Sequence, residues 1–171
     1  QKNILNSSKS TYVSTVGPLI GKFELEIAKY CKSKYAVATN SGTSALHLSL
    51  LALGIKKNDE VLVPAFTFVG TVNSIAYCGA IPHFIDVEKS SFVSRIDQIE
   101  KCITKKTVAI MIPNLLGNVP NWNEIHKIAK KHKIKVIEDS ADTIGYTFNG
   151  KNFGKCSDVT TNSMYASHII T

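Results

Sequence analysis

The chain has 171 residues, of which 44% are hydrophobic and 19% charged, a composition that can bury the core of a globular domain. No apolar run approaches the roughly 18 residues that a membrane-spanning helix needs, and residues 1–12 lack the apolar stretch of a signal peptide, so we expect a cytoplasmic protein. The net charge of +7 comes from lysines that stand singly or in short groups, which favours a solvated surface over a nucleic-acid partner.

The cysteines and the chain ends carry further information. Cys31, Cys78, Cys102 and Cys156 stand far apart without a C-x-x-C pair, so the pattern predicts reduced thiols and neither a zinc site nor a redox motif. The sequence begins without Met and ends without a helix stop or a polar tail. We therefore expect a fragment of a longer protein, and we predict no metal site in it.

Helical and strand patterns alternate after a polar arm at residues 1–16. Apolar spacing predicts, in chain order, helix 21–30, strand 35–39, helix 43–53, strand 61–63, helix 68–77, strand 82–87, helix 96–102, strand 108–112, helix 122–132 and strand 135–138. Helices that connect successive strands predict a three-layer α/β/α fold with a mostly parallel sheet. In such a fold, ligands bind beyond the carboxyl ends of the strands.

The first candidate site is the segment from Asn40 to Ala45, which follows a predicted strand and opens a predicted helix. Free amides and the helix dipole favour an anion there, Gly42 permits close backbone approach, and Thr43 adds a hydroxyl donor. A phosphate cup is one interpretation, and a simple helix cap by Ser41 or Thr43 is the other. Neither a Walker loop nor a dinucleotide fingerprint is present.

The second candidate is Glu138-Asp139, two acids at the carboxyl end of a predicted strand. A carboxylate at this place could bind a metal, accept a hydrogen bond from a ribose hydroxyl, pair with a protonated heterocyclic nitrogen, or cap the next turn. The residues alone leave these alternatives open.

Aromatic and histidine side chains complete the set of candidates. The segment from Pro64 to Phe68 puts aromatic rings near the same edge of the sheet, where they could stack on a flat ligand or belong to the core. His168 is the one histidine in a polar, loop-like segment, from Ser163 to His168. A lone histidine is more often structural than catalytic.

In this order, the segments YAVATNSGTSALHLSLLALG, DEVLVPAFTFVGTVNSI, GAIPHFIDV, KVIEDSADTIG and NGKNFG resemble the DegT/DnrJ/StrS family of sugar aminotransferases. The resemblance runs from about residue 17 to residue 171. It implies the amino-terminal part of the large domain of a type I pyridoxal phosphate (PLP) enzyme at 17–171, preceded by an amino-terminal arm at 1–16. The rest of that domain and a small carboxyl-terminal domain would lie outside this chain.

Carried over residue by residue, the resemblance implies that Gly42, Thr43 and Ser163 hold the cofactor phosphate. Phe68 takes the position that stacks on the pyridine ring, and Asp139 matches the acid that pairs with the ring nitrogen. An acid beside that nitrogen keeps it protonated, and a protonated ring withdraws electrons. The resemblance also implies a homodimer, because a neighbouring subunit completes the active sites of the family.

Two positions depart from the aminotransferase pattern. The family carries a lysine, which bonds covalently to the cofactor, where this chain has His168, and usually Gln or His where it has Asp142. Both departures resemble the nucleotide-sugar 3-dehydratases, which use pyridoxamine phosphate (PMP) on a nucleotide-linked 4-keto-6-deoxyhexose. Asp142 then belongs to the cofactor site, and His168 becomes the catalytic base, since imidazole exchanges protons near neutral pH.

Three hypotheses follow. The parent protein is a 3-dehydratase, or a sugar aminotransferase in which another lysine serves, or an inactive regulatory subunit that keeps the fold. The residue at position 168 separates the first two, and the retained phosphate cup and Asp139 argue against the third. The residues of this chain neither indicate nor exclude an iron–sulfur cluster.

Overall fold

A computed structural model of the chain describes residues 1–13, 17–152, 157–166 and 168. Contacts between residues divide the chain into two compact units, Gln1–Ala38 and Thr39–Thr171. The first unit contains helices α1 (Lys2–Ser10) and α2 (Pro18–Cys31). The helix α1 was not predicted, because its sequence is rich in serine. None of its residues is buried in the structure. The domain boundary expected after residue 16 stays a prediction.

The second unit alternates helices and strands. Its elements are α3 (Gly42–Ala52), β1 (Glu60–Pro64), α4 (Val69–Tyr77), β2 (Ile81–Ile85), α5 (Ile96–Cys102), β3 (Thr107–Pro113), a 3₁₀ turn (Leu115–Gly117), α6 (Trp122–His132), β4 (Lys135–Asp139), the antiparallel pair β5 (Thr147–Phe148) and β6 (Lys151–Asn152), and β7 (Val159–Thr161). Five of the strands form one sheet in the order β2-β1-β3-β4-β7, and every pairing in it is parallel. The predicted fold class is confirmed.

Each face of the sheet has its own hydrophobic core, because successive residues of a strand point to opposite faces. Val136 of β4 packs with Trp122 and Ile125 of α6 on one face. Its neighbour Ile137 packs with Leu46 and Leu50 of α3 on the other. The sheet is therefore covered by helices on both sides, and its strand ends are the places left for a site.

The strand predicted at 35–39 is wrong for the chain as described. None of the described strands pairs with this segment. Tyr35 and Val37 are exposed, and the Ala38 amide donates a hydrogen bond of 2.8 Å to the Glu24 carboxylate. A strand needs a neighbouring strand to satisfy its backbone hydrogen-bonding groups. The composition of this segment favours a strand, but composition alone does not supply that neighbour. Conversely, β5, β6 and β7 were not predicted, because runs of two or three residues are too short to show a pattern.

None of the helices in the described part of the chain is long and apolar enough to cross a membrane.

Candidate functional site

The start of α3 leaves backbone donors free for an anion. The Ser41 hydroxyl caps the helix by accepting a hydrogen bond of 3.1 Å from the Ser44 amide, as a simple cap would. The cap leaves the amides of Gly42 and Thr43 without an acceptor among the described residues. Two free amides at the positive end of an 11-residue helix form a place for a phosphate group.

Ser163 lies directly beside this helix start. A methyl group built on Gly42 would lie 3.7 Å from the Ser163 side chain, so the two residues are in van der Waals range. Ser163 is buried after β7, and its hydroxyl accepts a hydrogen bond of 3.2 Å from the Tyr165 amide. The structure thus brings together Gly42, Thr43 and Ser163, the three residues expected at the phosphate.

Gly70, which sequence reasoning missed, lies between two of the predicted residues. A Cβ atom added to Gly70 would lie 2.6 Å from the Thr43 hydroxyl and 2.8 Å from the Phe68 ring. Only a residue without a side chain lets α4 approach α3 this closely. The Phe68 side chain is 67% exposed, so its ring is not a core residue and keeps a face free for a flat ligand.

Asp139 ends β4 on the face that carries α3 and α4. Its Oδ2 accepts a hydrogen bond of 2.9 Å from the Thr71 hydroxyl, which itself accepts one of 3.1 Å from Thr67. Its Oδ1 accepts a weaker one of 3.3 Å from the Ala141 amide. Burial raises the pKa of Asp139 above its ordinary value, an effect that the two hydrogen bonds and His168 oppose and Asp142 reinforces. Thr71 could not be found from the sequence, because nothing there shows that α4 turns it towards β4.

His168 and Asp142 lie next to each other at the same edge of the sheet. Nε2 of His168 is 3.9 Å from Oδ1 of Asp142, and both side chains are partly exposed. Nδ1 of His168 is buried and has no hydrogen-bond partner within the described ranges. The Tyr165 ring and the imidazole form a T-shaped contact, with an angle of 62° between their planes and 5.8 Å between ring centres. His168 also acts electrostatically on Asp139, so the predicted base and the predicted acid share one site.

Glu138, the other acid of the predicted pair, lies outside this group. It is fully buried on the opposite face of β4, where the described residues that donate hydrogen bonds to it are all neutral. These donors are Asn114, Ser140, Tyr146, Ser157 and Thr160. Glu138 therefore stabilises the fold behind the site.

No group of three or more His, Cys, Asp or Glu side chains in the described part of the chain could hold a metal ion. Cys31, Cys78 and Cys102 form no disulfide bond with one another. Cys156 and the end of the NGKNFG turn lie outside the described residues.

Comparison with known proteins adds the family. Residues 1–171 match the DegT/DnrJ/EryC1/StrS aminotransferase family. GDP-perosamine synthase from Caulobacter vibrioides is 40% identical over 168 residues, which are 98% of this chain and 45% of that protein. The chain thus spans less than half the length of this relative.

Two solved structures have the same fold. Escherichia coli GDP-4-keto-6-deoxy-D-mannose-3-dehydratase with bound hydrated PLP matches with a TM-score of 0.91 and 34% identity, over 99% of this chain and 45% of that one. A histidine-to-asparagine variant of GDP-4-keto-6-deoxymannose-3-dehydratase with bound GDP-perosamine matches with a TM-score of 0.92 and 33% identity, over the same shares of the two chains. The chain belongs to the DegT/DnrJ/EryC1/StrS aminotransferase family.

Proposed function

We propose that the whole protein to which this chain belongs is a cytoplasmic, PMP- and PLP-dependent 3-dehydratase of a nucleotide-linked 4-keto-6-deoxyhexose. The observation that carries the proposal is His168, an imidazole at the family's lysine position that lies within reach of Asp142 and acts on Asp139. The family includes both a synthase of an amino sugar nucleotide and dehydratases, so the family alone does not decide the reaction.

The described residues fit a phosphorylated pyridine cofactor. The free amides of Gly42 and Thr43, with Ser163 beside them, offer donors to a phosphate. The exposed Phe68 ring offers a stacking surface. Burial disfavours the negative charge of Asp139 and so raises its pKa. A protonated ring nitrogen would stabilise that charge and would therefore be a favourable partner.

His168 and Asp139 divide the proton chemistry between them. When bound, the cofactor would supply an amine group for the 4-keto carbon of the sugar and a ring that withdraws electrons from the reacting carbons. Asp139 holds the proton on the ring nitrogen. His168 would take up a proton at a ring nitrogen and return it, as the imidazole of a general base does. With the proton that His168 returns, the hydroxyl on carbon 3 would leave the sugar as water.

Amino transfer is the second candidate, because GDP-perosamine synthase is 40% identical to this chain. Product analysis distinguishes the two reactions. The whole protein, supplied with PLP, glutamate and a GDP-4-keto-6-deoxyhexose, should form a 3-deoxy sugar, whereas an aminotransferase forms a 4-amino sugar. His168→Lys should abolish deoxygenation and allow amino transfer. A wild-type protein that only transfers amino groups would overturn the proposal, and one that binds PLP and converts no sugar would favour an inactive regulator.

Covalent labelling gives an independent test. Reduction of the PLP-loaded wild type with borohydride, followed by mass spectrometry of its peptides, should leave no cofactor attached, because imidazole has no primary amine. The same treatment of His168→Lys should label residue 168. A labelled lysine in the wild type would identify an aminotransferase.

We further propose that the whole protein is a homodimer. Large apolar side chains near the site, Phe66, Phe68, Leu116 and Tyr165, are exposed in the single chain. A second subunit that covers them would also exclude water from the site. Sedimentation should give a dimer for the active protein, and an active monomer would contradict this proposal.

A further inference from the structure

The two carboxylate oxygens of Asp142 face two different partners. Its Oδ2 accepts a hydrogen bond of 3.2 Å from the backbone amide of Leu116, in the turn that follows β3. Its Oδ1 faces Nε2 of His168 at 3.9 Å. The backbone therefore holds one side of the carboxylate, and the other side is directed at the imidazole.

The Leu116 amide is itself fixed by an unusual backbone. Leu116 has a φ of +53°, a left-handed conformation that residues other than glycine adopt rarely. The turn ends with a hydrogen bond from the Asn118 amide to the Leu115 carbonyl. A turn held in this way keeps its amide directed at Asp142.

The two nitrogens of the His168 ring have different surroundings. Nε2 faces a carboxylate, whereas Nδ1 is buried and accepts no hydrogen bond from any described residue. In a neutral imidazole, only one of the two ring nitrogens carries a hydrogen. The groups around the ring decide which nitrogen that is. The negative charge of Asp142 attracts the positive end of an N–H bond, so the hydrogen is favoured on Nε2 and the lone pair on Nδ1.

Asp139 is the other acid that acts on His168, but neither of its oxygens lies within 4 Å of an imidazole nitrogen. One accepts a hydrogen bond from the Thr71 hydroxyl and the other from the Ala141 amide, and its side chain is almost fully buried. Tyr165, a further titratable neighbour, contacts the imidazole through its ring, in a T-shaped arrangement with 5.8 Å between ring centres. Asp142 is thus the group placed to orient the imidazole.

We infer that Asp142 is a positioning residue, which holds His168 as its Nε2–H tautomer and so makes Nδ1 the atom that accepts the proton. The catalytic meaning of this inference rests on the proposed dehydratase function. The tautomer itself is a property of the chain without substrate, so the two can be tested separately.

Nitrogen NMR of the whole protein, labelled with ¹⁵N-histidine and free of cofactor, measures the tautomer directly. When its imidazole is neutral, His168 should be mainly the Nε2–H tautomer. Its resonance is assigned by its absence from the spectrum of His168→Asn. Asp142→Asn should shift the population towards Nδ1–H, and Asp142→Glu, which keeps the charge, should restore part of it. Asp97→Asn, an exposed acid on α5, should change nothing. A wild-type His168 that is mainly Nδ1–H, or a population that Asp142→Asn leaves unchanged, would overturn the inference.

Kinetics on the loaded enzyme then connects the tautomer to turnover. Asp142→Asn should lower kcat about 100-fold, the size of a general-base contribution, and leave KM within about twofold. A rise in KM and a fall in thermal stability, without a change in kcat, would show a purely structural role and would also overturn the inference. If the product of the wild type is an amino sugar, the proposed function fails, and the NMR result still decides the role of Asp142.

Discussion

Strand β4 ends in two acids that the pleat sends to opposite faces of the sheet, and the two faces treat them differently. Glu138 faces α5 and α6, where five neutral donors surround its carboxyl group and no solvent reaches it. Asp139 faces α3 and α4, where two hydrogen bonds leave its burial only partly compensated and its pKa raised. A fully satisfied acid stabilises a fold, and an incompletely satisfied one is available to a ligand.

The difference follows from what each face contains. Behind Glu138, the side chains of Asn114, Ser140 and Thr160 join β3, β4 and β7 through one carboxyl group. In front, the Asp139 carboxylate accepts hydrogen bonds from two described groups, the Thr71 hydroxyl and the Ala141 amide. The back face therefore holds the strand ends in place, while the front face presents them to a cofactor.

The largest effect is expected from Asp139→Asn. Because the proposed task of this carboxylate is electronic, turnover of the whole protein should fall by about 100-fold, roughly 2.7 kcal/mol of transition-state free energy. The thermal midpoint without cofactor should change little, since removing a buried charge offsets the altered hydrogen bonds. Steady-state kinetics and thermal unfolding measure the two quantities.

The control for this variant is Asp158→Asn, which alters an aspartate that accepts a 2.8 Å hydrogen bond from the Val136 amide. It should lower stability and leave kcat unchanged. If Asp139→Asn lowers the midpoint and the turnover in proportion, Asp139 is a structural cap and the contrast between the two faces disappears.

The raised pKa of Asp139 also predicts a pH effect on the stability of the fold. Because its folded-state pKa is raised, the charged form is disfavoured in the fold, so the contribution of this group to stability is present below the unfolded pKa and is lost as pH rises through the folded one. Urea midpoints of the cofactor-free wild type should therefore fall, relative to Asp139→Asn, as pH increases through that range. A constant difference between wild type and variant would contradict the raised pKa.

Glu138→Gln should produce the opposite result. The side-chain amide of glutamine has an NH2 donor in place of one acceptor oxygen, and this donor would face other donors. Losing the hydrogen bonds to the buried carboxylate should lower the free energy of unfolding by about 3 kcal/mol. Denaturation in urea measures this loss, and kcat of the molecules that remain folded should stay within a fewfold of wild type. A variant with unchanged stability and greatly reduced kcat would place Glu138 in the chemistry.

These two acids also show how far sequence reasoning reaches. The rule that ligands bind at the carboxyl ends of parallel strands selected Glu138 and Asp139 together, and the family resemblance chose between them. Helix α6 was predicted to the residue, because Trp122, Ile125 and Ala129 recur at helical spacing and are all buried. Local pattern is enough where an element's own periodicity decides its structure.

Contacts between elements were not predictable in this way. Gly70 and Thr71 look like ordinary positions in α4, and their importance comes from the approach of α4 to α3 and β4. The Leu116 amide reaches Asp142 because of a left-handed turn that no residue type announces. The segment 35–39 shows the converse error, since its composition favours a strand that has no partner among the described residues.

A smaller effect is expected from Gly70→Ala, which tests how closely the front face is packed. The added Cβ would lie 2.6 Å from the Thr43 hydroxyl, so α4 or Thr43 must move. Such overpacking costs about 1–3 kcal/mol and outweighs the roughly 0.5–1 kcal/mol that alanine gains over glycine in a helix. Calorimetry should show lower stability, and fluorescence titration should show weaker binding of PLP.

Gly21→Ala is the matched control for Gly70→Ala. Gly21 lies in α2 with no atom within 4 Å of its added Cβ, so this variant should gain the helical preference without any clash. Equal stabilisation by both substitutions would mean that α3 and α4 are not closely packed at Gly70.

The smallest effect is expected on the back face, at the surface between α5 and α6. Lys131 and His132 contact the exposed Glu100 at 2.5 and 2.9 Å, and their hydrogen bonds, that of His132 first, lower the pKa of Glu100 from 4.5 to about 2. Since the folded pKa is depressed, this stabilisation is present above pH 4.5 and is lost as pH falls towards 2. Glu100→Gln should thus lower the urea midpoint slightly at pH 7, and the difference from wild type should shrink across that window and in high salt, which screens an exposed pair. Glu26→Gln, at an exposed position of α2, should show no such pH dependence. A difference that persists at pH 2 would mean that Glu100 stabilises the fold through packing and not through its charge.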